Sequence, residues 1–313
     1  MGRPKYILIV RHGESEGNCD KAVNRYTPNH LVSLTQNGQM QALQAGVALL
    51  KFLLDQKLEE NDEETGSKRN PRSIMFFTSP YLRTRQTCNN IIEGIKDVPG
   101  VQYDVREEPR MREQDFGNFQ PGLVEMEKIW KERAQYGHFF FRIPHGESAA
   151  DVYDRVASFN ESLFRKFRYD NFPNILVLVT HGIWSRVFLM KWFKWTYEEF
   201  ESLKNIPHCQ FLVMKKHNDD QKYHLKTRLL TWNDSDDNDE LALGECRLND
   251  LEVYKLIQEQ RDAVNSTKKK NKKLEEMYRQ VYNDSQLDGY KNKLVSTFQM
   301  ENPSVTNSVE SFQ

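Results

Sequence analysis

KYILIVRHGESEGN, residues 5–18, joins an unbroken apolar run to an abruptly polar end. Ile7 to Val10 is rich in β-branched side chains, the pattern of a strand buried on both faces. Arg11, His12, Gly13 and Glu14 follow at once. Open α/β sheets take their ligands beyond the carboxyl ends of the strands, so these groups are aimed where a ligand would sit. Arg11 offers a planar fork of donors suited to phosphate. His12 offers a nitrogen that is nucleophilic at neutral pH. Gly13 lets the backbone approach a ligand closely. Ser15 and Asn18 add short polar side chains within one turn. Arg-His-Gly alone is a weak motif, since a strand ending in any polar turn reads the same way.

Two further segments repeat the design. Residues 72–78 (RSIMFFT) read as a second buried strand, broken by Ser79-Pro80 and followed by a helix over 81–95. Residues 174–179 (NILVLV) form the clearest strand and end in Thr180-His181-Gly182, with a helix to Phe193 beyond. Thr35 caps a helix over 35–57 with Met40, Leu43, Val47 and Leu50 on one face. The first two strands around that one helix have the spacing of a right-handed crossover. A short strand is expected over 99–106, a charged loop over 111–121 and a helix over 123–136. Ser148 caps a helix over 149–167, and strands follow at 209–215 and 224–232. Strands alternating with helices imply an α/β fold, a three-layer αβα sandwich with a mostly parallel central sheet.

Residues 59–70 (EENDEETGSKRN) have no apolar side chain and read as a solvated insertion. The character changes after Trp232. Residues 233–240 (NDSDDNDE) are acidic, 251–283 have helical propensity, and the tail is rich in Ser and Asn. The expected division is a catalytic domain over 1–232 and a charged extension over 233–313, partly helical with a disordered end.

The chain has 313 residues and net charge −1, which argues against general nucleic-acid binding. Hydrophobic residues are 38%, below the usual globular share, so part of the chain lies outside any core. Cys19, Cys88, Cys209 and Cys246 have no metal-like spacing and read as free thiols in a reducing compartment. No signal-peptide pattern opens the chain, and no apolar run approaches the ~20 residues that span a bilayer. The expected location is cytoplasmic, with the nucleus also open. The run Lys268 to Lys273 (KKKNKK) has the charge to touch anionic lipid, although such runs are more often solvated helix faces.

If the three strands are parallel neighbours, Arg11 and His12, Ser79 and Arg83, and His181 meet at one sheet edge. Two histidines and two arginines there would attract a phosphoryl dianion, and the arginines favour neutral histidine, the form that attacks phosphorus. Two histidines with no carboxylate at ligand spacing make a poor metal site, so neither metal nor cofactor is called for. Transfer to His12 also needs a proton for the leaving oxygen. Glu14, Glu107, Glu108, Glu113, Asp115 and Glu147 are all candidates, and spacing does not choose among them.

Together these residues resemble the histidine phosphatase superfamily, in its phosphoglycerate-mutase-like branch. The resemblance rests on Arg11-His12-Gly13-Glu14 with Asn18, Leu34-Thr35-x-x-Gly38-x-x-Gln41-Ala42, and Thr78-Ser79-Pro80-x-x-Arg83-x-x-Gln86-Thr87. It continues through Arg112-Glu113-x-x-Phe116-Gly117, Gly146-Glu147-Ser148-x-x-Asp151-x-x-x-Arg155 and Thr180-His181-Gly182, covering residues 5–215. It implies that His12 is the phosphorylated nucleophile and Glu113 the general acid. It implies that Arg11, Arg83 and His181 bind the phosphoryl oxygens, with Asn18 and Gly182 also contacting substrate. The motif favours Arg83 over Arg85, which reads as a helix-surface residue. Mutases of the branch carry Trp-Arg-Arg before a proline-rich segment, where this chain has Trp130-Lys131-Glu132-Arg133 and no prolines. That departure favours a phosphatase over a phosphoglycerate-type mutase, and the chain is most similar to the fungal broad-specificity acid phosphatases of the branch. The implied substrate is a small-molecule or protein phosphomonoester, hydrolysed with an acidic pH preference. A non-enzymatic docking protein built on the same phosphate pocket would not need a proton donor. Arg142, His145 and Lys131 could hold a second anionic group, and Phe139 to Phe141 either line the pocket or pack as core.

Overall fold

The computed structural model describes residues 2–55, 70 and 72–234. The expected insertion up to residue 69, Cys246 and the whole extension beyond Asp234, with its lysine run, lie outside the described residues.

Strand β1 (Tyr6–Arg11) leads into two single-turn helices, α1 (Glu16–Cys19) and α2 (Val23–Tyr26), and then α3 (Gln36–Asp55). β2 (Ser73–Thr78), α4 (Leu82–Glu93), β3 (Gln102–Glu107), α5 (Leu123–Tyr136) and α6 (Ala149–Lys166) follow. β4 (Ile175–Thr180), α7 (Gly182–Phe193), α8 (Tyr197–Ser202), β5 (Phe211–Lys216) and β6 (Tyr223–Leu225) complete the described chain. The six strands form one sheet in the order β3-β2-β4-β1-β5-β6. β1 to β4 are parallel, and β5 runs antiparallel to β1.

Alternation along each strand builds the three layers. Ile7 and Ile9 join Leu176, Leu178 and the α6–α7 side chains Val156, Phe159, Trp184 and Phe188 on one face. Tyr6, Leu8 and Val10 join Val177, Val179 and the α3–α4 side chains Leu49, Leu53, Cys88 and Ile91 on the other. All six β4 residues are buried, and each aliphatic side chain so covered contributes about 1.5–3 kcal/mol. The run Ile7 to Val10 is therefore apolar throughout because both of its faces are covered.

The expected crossover between β1 and β2 does not join neighbours. β4, the most apolar strand, takes the place between them, where both faces and both edges are covered. The last strand is also shorter than 224–232 suggests. β6 ends at Leu225, and among the described residues beyond it only Thr231 makes a bridge, to Leu203. Helix α8 lies in a stretch with no expected element, and a Thr196–Glu199 capping box starts it.

Gly13 serves a purpose other than ligand approach. A Cβ there would lie 2.3 Å from the carbonyl oxygen of Gly38, so the glycine lets the turn after β1 press against the start of α3. Of the Phe139–Phe141 run, Phe139 is core, Phe140 is exposed, and Phe141 packs beside Ile143. None of the three lines the cleft described below.

Candidate active site

The register of the central strands brings the three polar ends together. Arg11 is paired with Thr180, and Val179 with Thr78. The ladder runs one step further on each side: His12 N–H donates to Thr180 O at 2.9 Å and Ser79 N–H to Val179 O at 3.0 Å. His12, Ser79 and His181 thus lie side by side at the carboxyl edge. An open cleft of about 600 Å³ begins there, with Arg11, His12, Asn18, Arg83 and Glu113 on its wall.

His12 is buried, and its two ring nitrogens have different partners. Nδ1 is 2.7 Å from the Gly13 carbonyl, and Arg83 Nε–H donates to Nε2 at 3.2 Å. A carbonyl only accepts and a guanidinium only donates, so these partners place the proton on Nδ1 and the lone pair on Nε2. Burial, then Arg83, His181 and Arg11, hold the His12 pKa well below its ordinary 6.5. Arg83 is also tied to the Asn29 carbonyl at 2.6 Å, and Arg11 Nη1 to that of Ile206 at 2.7 Å. Asn18 Oδ1 accepts from Ser15 N and Oγ at 3.0 and 2.8 Å, which leaves its amide as a donor.

His181 is fully buried and is not on the cleft wall. Its ring meets that of His12 edge to face, centroids 5.2 Å apart. Nε2 lies 2.9 Å from Ser79 Oγ, while Nδ1 is buried without a partner. Gly182 is not on the wall either. A Cβ there would meet Asn205 Oδ1 at 2.3 Å, so this glycine admits Asn205 against the start of α7.

Of the six candidate acids, Glu113 is the one on the cleft wall. Glu14 accepts from Thr35, Glu107 is paired with Arg85, and Glu108 with Arg110. Glu147 is held by Arg112, Arg155 and the Asp115 N–H, and Asp115 accepts from Gly117 N–H. Glu113 is on the cleft wall with no ion-pair partner within 4 Å among the described residues. Its Oε1 accepts from Gln114 N and Trp184 N at 3.1 and 3.3 Å, the second at the amino end of α7, where negative charge is favoured. Arg155 fixes the loop that carries it, donating to the carbonyls of Arg110, Arg112 and Glu113. The Glu147–Arg155 motif therefore clamps the loop that carries Glu113.

Arg85 faces away from the cleft, with Nε and Nη2 each 2.7 Å from a Glu107 oxygen. Arg83→Ala is expected to lower kcat/KM for a phosphomonoester by about 10²–10³-fold, and Arg85→Ala by less than about threefold. Equal losses would show that the two arginines share the phosphate pocket.

Three residues at or beside the cleft, His208, His138 and Arg186, carried no sequence signal. His208 Nδ1 lies 2.8 Å from the His12 carbonyl oxygen, and burial with Arg11 nearby brings its pKa to about 4. Arg133, His138 and Arg186 line the cleft beyond Glu113. Arg142, His145 and Lys131, expected to hold a second anion, are exposed and off the cleft wall, and Arg142 is paired with Asp151.

The buried histidines make stability depend on pH. His12, His181 and His208 have folded pKa values below the ordinary 6.5, so the unfolded chain binds more protons as pH falls through that value. The unligated fold should lose stability from about pH 6.5 downward, by about 1.4 kcal/mol per pH unit for each histidine held neutral. Above that window these groups contribute nothing. Thermal melts between about pH 7 and pH 5 check this, and a Tm that stays level across them would show the histidines charged in the fold.

The sequence profile of the histidine phosphatase superfamily (branch 1) matches residues 63–234. A broad-range acid phosphatase of Saccharomyces cerevisiae is 43% identical, over 74% of this chain and 91% of its own length. A phosphoglycerate mutase-like protein of Arabidopsis thaliana is 45% identical over 68% and 74%. In structure, the alpha-ribazole phosphatase from Shigella flexneri superposes with TM-score 0.50 at 17% identity, covering 72% of this chain and 96% of that one. A mycobacterial hydrolase does so with TM-score 0.52 at 20% identity, covering 76% and 96%. The two solved structures share the fold, and the profile with the two sequence relatives establishes descent: this chain belongs to branch 1 of the histidine phosphatase superfamily.

Proposed function

We propose that the chain hydrolyses phosphomonoesters through a phosphohistidine on His12, with no metal and no cofactor. The observation that carries this reading is the pair of bonds on His12, Gly13 O on Nδ1 and Arg83 Nε–H on Nε2. They give a neutral imidazole whose lone pair faces a guanidinium, which is where a phosphoryl dianion would be drawn. The identity to a protein named as a broad-range acid phosphatase supports the same chemistry.

In the first step the Nε2 lone pair attacks phosphorus and the bond from phosphorus to the ester oxygen breaks. That oxygen takes a proton from the Glu113 carboxyl group, and the alcohol leaves. In the second step water attacks phosphorus, passes its proton to the Glu113 carboxylate, and the P–N bond breaks to give phosphate and neutral His12. Arg11, Arg83 and the Asn18 amide stabilise the charge that spreads over the phosphoryl oxygens. The partnerless Nδ1 of His181 would gain a partner if a phosphoryl oxygen or water entered beside His12.

Trp130 and Arg133 face the cleft, whereas Lys131 and Glu132 are exposed, so the stretch comparable to a mutase's paired arginines offers a single guanidinium. This favours release of phosphate over its return to a bound product. Turnover of p-nitrophenyl phosphate by the full chain with a chelator present, beside His12→Ala, tests the proposal. Turnover that vanishes on chelation, or survives in the variant, overturns it.

A further inference from the structure

The segment 206–209, just before β5, closes over the end of β1. Arg11 Nη1 donates to the Ile206 carbonyl at 2.7 Å, and Cys209 N–H donates to the Arg11 carbonyl at 3.0 Å. His208 reaches one residue further along β1. Its Nδ1 is 2.8 Å from the His12 carbonyl oxygen, and its ring centroid is 5.6 Å from that of His12. A carbonyl only accepts, so the proton is on His208 Nδ1. Cys209, next to it, has φ 57°, a left-handed conformation that a residue with a Cβ keeps where its surroundings fix it. His208 is off the cleft wall, and the phosphoryl-transfer steps do not use it. Burial, then Arg11, brings its pKa to about 4, and Nδ1–H is present in both of its charge states.

The bond bears on the nucleophile through two peptide units. In the unit joining His12 to Gly13, His208 holds the oxygen, and the N–H donates to Thr87 Oγ1 at 3.1 Å. In the unit joining Gly13 to Glu14, the N–H donates to Gln41 Oε1 at 2.8 Å. The oxygen of that second unit lies 2.7 Å from His12 Nδ1 and takes its proton. It thereby sets the tautomer of His12 and the direction of Nε2. Where this oxygen points depends on how the first unit is turned. Gly13 has no Cβ to limit that turn, so the hydrogen bonds set it. Thr87 and Gln41 grip the two N–H groups from α4 and α3, and His208 grips the His12 oxygen from the approach to β5.

We propose that His208 is a positioning residue for the nucleophile: by holding the His12 carbonyl oxygen, it fixes the turn that aims the His12 lone pair at phosphorus. This rests on the phosphatase reading above and adds to it a residue that touches no substrate.

The experiment uses three variants of the full chain, His208→Asn, His208→Gln and His208→Leu. An asparagine amide nitrogen takes the place of Nδ1, whereas a glutamine amide extends to the place of Nε2. Glutamine is the nearer to histidine in size. A donor role therefore ranks asparagine above glutamine, and a space-filling role ranks them the other way. With p-nitrophenyl phosphate, kcat should fall by about 10–100-fold in the leucine and glutamine variants, with KM within about threefold of wild type. The asparagine variant should return to within about fivefold of wild type. Inhibition by inorganic phosphate should stay level in all three, since His208 is off the cleft wall. The Nδ1 proton of His12, followed by NMR, should exchange with solvent faster in the leucine and glutamine variants than in wild type and the asparagine variant. Wild-type kcat in the leucine variant, or a glutamine variant as active as the asparagine one, overturns the assignment. The order of asparagine and glutamine decides even if the leucine variant does not fold. Absence of p-nitrophenyl phosphate turnover in the wild type would instead overturn the phosphatase reading, and exchange of the Nδ1 proton would still decide whether His208 holds the turn.

Discussion

His12→Ala is expected to lower kcat/KM for p-nitrophenyl phosphate by about 10⁴-fold or more while leaving the fold intact. The side chain lies at the mouth of the sheet's carboxyl edge, outside both core clusters, so its loss should open little cavity in the packed layers. On the proposed mechanism its removal deletes the atom that forms the covalent intermediate, and the neighbouring imidazoles are held in other positions. Nε2 of His181 is 2.9 Å from Ser79 Oγ, and Nδ1 of His208 is 2.8 Å from the His12 carbonyl. The wild-type profile should also extend into acid. With its pKa held well below 6.5 by burial and Arg83, His12 keeps its lone pair where an ordinary histidine would be protonated. A variant with more than about a hundredth of wild-type activity would remove the phosphohistidine from the pathway.

Glu113→Gln should cost about 10²–10⁴-fold with an alkyl phosphate and markedly less with p-nitrophenyl phosphate. The difference arises at the leaving oxygen. Nitrophenolate departs without a proton, whereas an alkoxide needs one in the transition state. Glutamine keeps an oxygen for the N–H groups of Gln114 and Trp184, so the loop should hold its shape. It also removes the negative charge that opposes four arginines, so anionic substrates should bind no more weakly than to wild type. Equal losses for both esters would assign Glu113 to charge balance and reopen the choice of acid.

Local patterns carried much of this site. The apolar runs ending in Arg11-His12, Thr78-Ser79 and Thr180-His181 are strands because they are covered on both faces, and a covered strand leaves its polar residues for its end. The helix caps at Ser148 and the amphipathic faces of α3 and α6 were legible for the same reason: the signal lies within a few residues of its cause. The choice of Glu113 was not legible from spacing alone. It depends on which carboxylate the folded chain places on the cleft wall, while Glu107, Glu108 and Glu147 are tied to arginines. His208, His138 and Arg186 were silent as well, since a lone basic residue on a loop or helix has no local pattern.

The sequence by itself determined the strands, their polar ends, the helices that cover them and the family to which they belong. The tertiary structure decided that β4 lies between β1 and β2, which sets His181 edge to face with His12. It also brought Gly38 against Gly13 and Asn205 against Gly182, and put Arg133 and Arg186, not Arg142, on the cleft wall. Those outcomes depend on which segments meet across long stretches of chain, and burial, charge pairing and close backbone approach are settled only when they meet.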